Sequence, residues 1–105
     1  MLKSPTAHRF DILVCYDVDT TSSEGRRRLR QVAKKCEAHG QRVQLSVFEC
    51  RLTPEIWVKM RADLLKILQP TEDSLRIYWL AQPREKNLEV HGRDAYIDFS
   101  GPLQL

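Results

Sequence analysis

Asp17 closes the run Phe10-Asp11-Ile12-Leu13-Val14-Cys15-Tyr16-Asp17-Val18, where an apolar strand gives way to a polar loop. An ionised carboxylate at such a place is costly unless a cation, a metal or several donors satisfy it. Two chemistries suit it. It can accept backbone N–H groups from the loop at 19–22, as strand-end aspartates often do. It can also hold Mg2+, which is usually bound by one or two carboxylates with water in the remaining positions. One Asp per chain is few for a metal. A two-fold dimer, however, would face two Asp17 side chains at each other, a pair that repels itself unless a cation lies between. Asp11, at the start of the run, sits where a strand end can still be wet. Asp19, Glu49, Asp73 and Asp98 are further acids near strand ends, but only Asp17 stands where an open sheet face meets the chain's exit from a strand.

A second chemistry lies in residues 26–35, RRRLRQVAKK, which hold Arg26, Arg27, Arg28, Arg30, Lys34 and Lys35 and no acid. On a helix Arg26, Arg30 and Lys34 form one stripe, with Arg27 and Lys35 flanking it. Charged faces exposed to water usually mix signs, so the run favours a phosphate-binding face over a merely solvated one. No base-reading motif accompanies it, and such binding would follow shape and backbone.

Other chemistries lack their residues. No nucleophile triad, phosphate-binding GKS/T loop or HExxH motif is present. Cys15, Cys36 and Cys50 form no Cys-x-x-Cys pair and read as small buried hydrophobes. With His8, His39 and His91 scattered, they offer no zinc site.

The elements that must position these groups follow from periodicity. Phe10, Ile12, Val14, Tyr16 and Val18 share one strand face; Asp11, Leu13, Cys15 and Asp17 share the other. Thr21 and Glu24 have capping-box spacing before a helix expected over 23–39, with Gly40 as its stop. In RVQLSVFECRL the alternation slips at Ser46, which a tight turn between two strands explains better than a bulge. Thr53 and Pro54 start a second helix whose apolar face is Trp57, Met60, Leu64, Ile67 and Leu68, and Pro70 ends it. DSLRIYWL alternates as a strand, a polar linker follows, and DAYIDF is expected as a last strand. Trp57 and Trp79 read as core.

The order is strand, helix, strand, strand, helix, strand, which predicts an α+β, ferredoxin-like βαββαβ core over 1–80. Residues 81–105 would form a linker, a C-terminal extra strand and a tail of the same domain. Leu13, Cys15, Tyr78 and Leu80 would leave the face opposite the helices too apolar for water, which argues for a homodimer.

With 105 residues, 42% hydrophobic and 30% charged, and a net charge of +3, the composition suits one globular domain. No apolar run reaches the ~20 residues of a membrane span. The N-terminus lacks a signal peptide's apolar core, and a cytoplasmic protein is expected.

Three stretches carry a resemblance: ILVCYDV, GRRRLRQVAKKCEAHGQRVQLSVFECRLT from Gly25 to Thr53, and DSLRIYWL from Asp73 to Leu80. Together they closely resemble the CRISPR-associated protein two family, over residues 10–80 in order and without gaps. The linker length and closing GPLQL resemble the type I-C branch. The resemblance implies a ferredoxin-like homodimer with magnesium-dependent endonuclease activity on single-stranded RNA or double-stranded DNA. Asp17 would be its metal carboxylate, shared by both protomers. Arg26 through Lys35 would be its basic helix, Arg42 and Phe48 its motif arginine and phenylalanine, and Tyr16 and Ser46 would support the site. It also implies a place in spacer acquisition, at the centre of a complex with the CRISPR integrase. A DNA-binding scaffold whose chemistry belongs to the integrase is the alternative. Met1 to Arg9 precede the strand where most members begin, and this extension departs from the family.

Overall fold

The computed structural model describes residues 9–93. Its elements are β1 (Phe10–Asp17), α1 (Ser23–Glu37), β2 (Gly40–Gln44), β3 (Val47–Leu52), α2 (Pro54–Ile67) and β4 (Ser74–Trp79), followed by a short 3-10 turn at Arg84–Lys86. The strands form one sheet in the order β2-β3-β1-β4, and every neighbouring pair is antiparallel. This is the ferredoxin-like arrangement that the element order predicts. The expected strand at 95–99 lies outside the described residues.

Alternation decides which face each strand buries. Ile12, Val14 and Tyr16 of β1 and Phe48, Cys50 and Leu52 of β3 form one buried cluster with Leu29, Val32, Ala33 and Cys36 of α1 and Met60 and Leu64 of α2. Both helices therefore cover the same face. Burying each large apolar side chain there contributes roughly 1.5–3 kcal/mol. Trp79 departs from the expectation of a core tryptophan. It is 54% exposed and rests against Phe10 and the edge of Trp57 at 4.9 and 5.2 Å between ring centroids, because β4 is an edge strand.

The local signals act largely as read, with three corrections. Thr53 caps α2 by accepting the Ile56 N–H at 3.3 Å. Capping of α1, however, falls to Ser22 and not Thr21: the Ser22 hydroxyl accepts the Gly25 N–H at 3.0 Å. Gly40 does not end α1 in a left-handed turn; it opens β2, where an added Cβ would lie 1.9 Å from the Glu49 carbonyl oxygen. The slip at Ser46 is a turn between β2 and β3, accompanied by a register shift between Arg42 and Gln44.

The third correction concerns the stretch after β4, expected as a plain linker. It folds back over the helix-free face as a strap. Arg84 is buried, its N–H donates to Asp11 Oδ2 at 2.5 Å, and its Nε donates to Glu49 Oε1 at 2.6 Å. Leu13, Cys15 and Leu80 are half-buried, and Tyr78 remains 46% exposed. Among the described residues, no helix is long and apolar enough to cross a membrane.

Candidate nucleic-acid and metal site

The two carboxylates of β1 have opposite fates. Asp11 is buried, and Arg51 forks onto it with Nε to Oδ1 at 2.7 Å and Nη2 to Oδ2 at 2.9 Å. Burial pushes its pKa up, but the hydrogen bonds from Arg51 and the Arg84 N–H, with both guanidinium charges, outweigh that and leave it below the ordinary value. The expectation of a wet Asp11 is thereby corrected, because the strap covers it. Asp17 is the exposed one.

Asp17 ends β1 opposite Ser74, the first residue of β4. Pairing with β3 stops two residues earlier, at Cys15 and Val47; beyond it the Tyr16 N–H reaches the Ser46 carbonyl, at 2.9 Å. Ser46 thus closes the β2–β3 turn against the strand end. The loop donors that Asp17 could have accepted belong to Asp19, whose Oδ1 takes the Thr21 N–H at 2.9 Å and the Thr21 hydroxyl at 2.6 Å. Of the other strand-end acids, Glu49 is held by Arg84 and Asp73 by Arg28, and Asp98 lies outside the described residues. Asp17 carries no side-chain partner among the described residues, so its carboxylate is open.

Tyr16 points the other way, into the core, and its hydroxyl donates to Asp73 Oδ2. Arg28 donates to the same carboxylate from α1, Nε to Oδ2 at 2.7 Å and Nη2 to Oδ1 at 3.0 Å, and the Gln69 N–H adds a bond of 3.0 Å. Burial raises the Asp73 pKa, yet the bonds from Arg28, Tyr16 and Gln69 prevail and it stays low. Burial, then Asp73, drives the Tyr16 phenol well above its usual range.

The basic run is therefore not one uniform face. Arg28 leaves it for Asp73 and Glu72, which corrects its expected place among the nucleic-acid contacts. Arg26 is exposed but ties down the loop, Nη1 donating to the Thr20 and Thr21 carbonyls at 3.0 and 3.1 Å. Lys35 lies 3.7 Å from Asp63 of α2. The acids missing from the run in sequence are thus partly supplied by other elements. Arg27, Arg30 and Lys34 face water without an ion pair among the described residues. Arg42, on edge strand β2, lies with its guanidinium 5.3 Å from the centre of the Phe48 ring. Its Nε is buried without a hydrogen-bond partner among the described residues. Phe48 itself is fully buried and acts as core.

The donor set fits Mg2+ in one mode only. No three His, Cys, Asp or Glu side chains gather among the described residues, which excludes a complete cage from them. An open, hard carboxylate does suit an ion that keeps most of its water.

Comparison with known proteins decides the family. Residues 11–87 match the family model described as CRISPR associated protein Cas2. The chain belongs to the Cas2 family. It is 48% identical over 94 residues to the CRISPR-associated endoribonuclease Cas2 of Chlorobaculum tepidum, covering 90% of this chain and 98% of that one. Against the CRISPR-associated endonuclease Cas2 of Halalkalibacterium halodurans it is 41% identical over 92 residues, covering 88% and 96%. The crystal structure of Streptococcus pyogenes Cas2 at pH 6.5 superposes with a TM-score of 0.73 at 45% identity, covering 78% of this chain and 99% of that one. The Cas2 match ends at residue 87, so it takes in the strap that the sequence alone reads as linker.

Two residues that matter at the strand end, Asp73 in its bonding and Arg28 in its direction, escape a reading based on faces. The available signal is the acid pair Glu72-Asp73 directly before the strand that pairs with Asp17.

Proposed function

We propose that this Cas2-family chain is a CRISPR adaptation endonuclease that cleaves RNA or DNA phosphodiesters as a homodimer in the cytoplasm. The observation that carries this reading is the open Asp17 carboxylate at a strand end whose neighbouring acids are otherwise engaged. The names of its relatives, endoribonuclease and endonuclease, support the reaction class. Asp17, with its counterpart on a second copy, would hold Mg2+. The bound ion would supply Lewis acidity toward the phosphate and a lowered pKa for water. The chain's own contributions are to aim Asp17 from a strand end, to fix the adjoining loop through Asp19 and Arg26, and to offer Arg27, Arg30 and Lys34 to phosphates. The helix-free face and the residues after Arg93 would make the dimer and meet the CRISPR integrase.

A second reading, a DNA-binding scaffold for the integrase, draws on the same exposed cations of α1 and on the small number of ligands among the described residues. One experiment separates the two. Wild type and Asp17→Asn are assayed side by side, with and without Mg2+, for cleavage of single-stranded RNA and duplex DNA and for duplex binding. Cleavage lost with binding kept supports the nuclease. Equal, metal-independent traces of cleavage in both proteins support the scaffold.

A further inference from the structure

The Asp17 backbone is held from two directions. Within β1 its predecessor is Tyr16, and across the sheet its partner is Ser74. Both lead to one residue. Asp73 is the covalent neighbour of Ser74, and it accepts the Tyr16 hydroxyl. It therefore grips the residue before Asp17 and the residue opposite Asp17 at once.

Asp73 is itself immobilised. Its side chain has no exposure to solvent, and it receives the Arg28 fork from α1 and the Gln69 N–H from the turn that follows α2. Its own N–H returns a bond to the Gln69 carbonyl at 2.8 Å. A buried carboxylate with this many donors has a narrow choice of positions, since each bond fixes it from a different part of the chain while the Arg28 fork keeps its charge paired. Tyr16 and Asp17 alternate across the strand, so a shift of the phenol on the helix side turns the carboxylate on the open side.

We propose that Asp73 is the positioning residue for Asp17, acting through Tyr16 and Ser74 and braced by Arg28. The proposal rests on the reading of Asp17 as the metal carboxylate. Asp73 touches neither metal nor nucleic acid; it sets the angle at which Asp17 leaves the sheet. Groups that orient a metal ligand commonly change affinity or activity by about 10- to 100-fold when removed.

The test compares full-length wild type with Tyr16→Phe, Asp73→Asn and Asp17→Asn. Mn2+ is the probe, its binding followed by electron paramagnetic resonance, and cleavage is resolved into kcat and KM. Tyr16→Phe keeps the buried ring and loses only the hydroxyl. It is expected to melt near wild type, to bind Mn2+ about 10-fold more weakly, and to lose kcat with KM for nucleic acid unchanged. Asp73→Asn is expected to move in the same direction; should it fail to fold, Tyr16→Phe decides. Wild-type Mn2+ affinity and kcat per folded molecule in Tyr16→Phe, beside an Asp17→Asn that no longer binds, overturn the positioning role and leave Asp17 standing. An Asp17→Asn that binds Mn2+ like wild type overturns both.

Discussion

Asp11 and Asp17 stand on the same face of one strand, and only Asp11 is enclosed, forked by Arg51 at 2.7 and 2.9 Å and capped by the Arg84 N–H. One carboxylate serves the fold, and the other has no side-chain partner among the described residues. The difference gives them separable phenotypes.

Asp17→Asn should abolish divalent-dependent cleavage while the melting temperature without metal stays near wild type, since the side chain is exposed and has no partner among the described residues. Wild type should also gain thermal stability from Mg2+ by mass action, and the variant should not. Melting curves with and without Mg2+ check both halves.

Asp11→Ala should do the reverse in character. It takes the fork from Arg51, which keeps only Glu85, and the Oδ2 acceptor from the buried Arg84 N–H, and leaving such buried donors without their acceptor costs about 1–3 kcal/mol. Urea denaturation measures the loss.

Stability should fall on acidification in a defined window. Asp11 and Asp73 both titrate below the ordinary 3.8 in the folded protein. A lowered folded pKa contributes stability that is complete above the unfolded value, and that is lost as the pH falls through the folded one. Melting temperature should therefore decline as pH drops below about 3.8, and Asp11→Asn should show a shallower decline.

Neutralising Arg30 and Lys34 together should weaken duplex binding equally for unrelated sequences. The slope of log affinity against log salt should become shallower by about 0.9 for each phosphate contact removed. Arg26→Ala is expected to act differently, because it also releases the Thr20 and Thr21 carbonyls. Titrations at several salt concentrations distinguish the two.

Removing the residues after Arg93 should weaken self-association if a strand at 95–99 joins a second copy. Sedimentation velocity over a concentration series reads this directly. A truncated chain that sediments as full length does removes strand addition from the dimer.

Much of the fold is legible locally. Thr53 and Pro54 announce α2 because a cap and a first-turn proline act within a few residues. The broken alternation at Ser46 marks the turn for the same reason. What the sequence hides is contact at a distance. Asp11 reads as wet because the strap that encloses it comes from residues beyond β4, and Arg28 reads as a nucleic-acid contact because its acids, Glu72 and Asp73, lie far along the chain. Trp79 reads as core because its alternation is that of a buried strand, whereas its place at the sheet edge is set by topology. At the candidate site, Asp17 is found by its position at a strand exit, and Asp73 only by the bonds that converge on it.

The paired indoles offer an optical consequence. The chain has two tryptophans, and Trp57 of α2 meets Trp79 of β4 edge to face at 5.2 Å. Near-ultraviolet dichroism and fluorescence should therefore report the seating of α2 on the sheet. Trp79 lies across from Ile12 and Asp17 across from Ser74, at opposite ends of the β1–β4 ladder. A divalent ion such as Mg2+ held at Asp17 would leave this signal quiet, so unfolding can be followed optically while the other end of the strand is occupied.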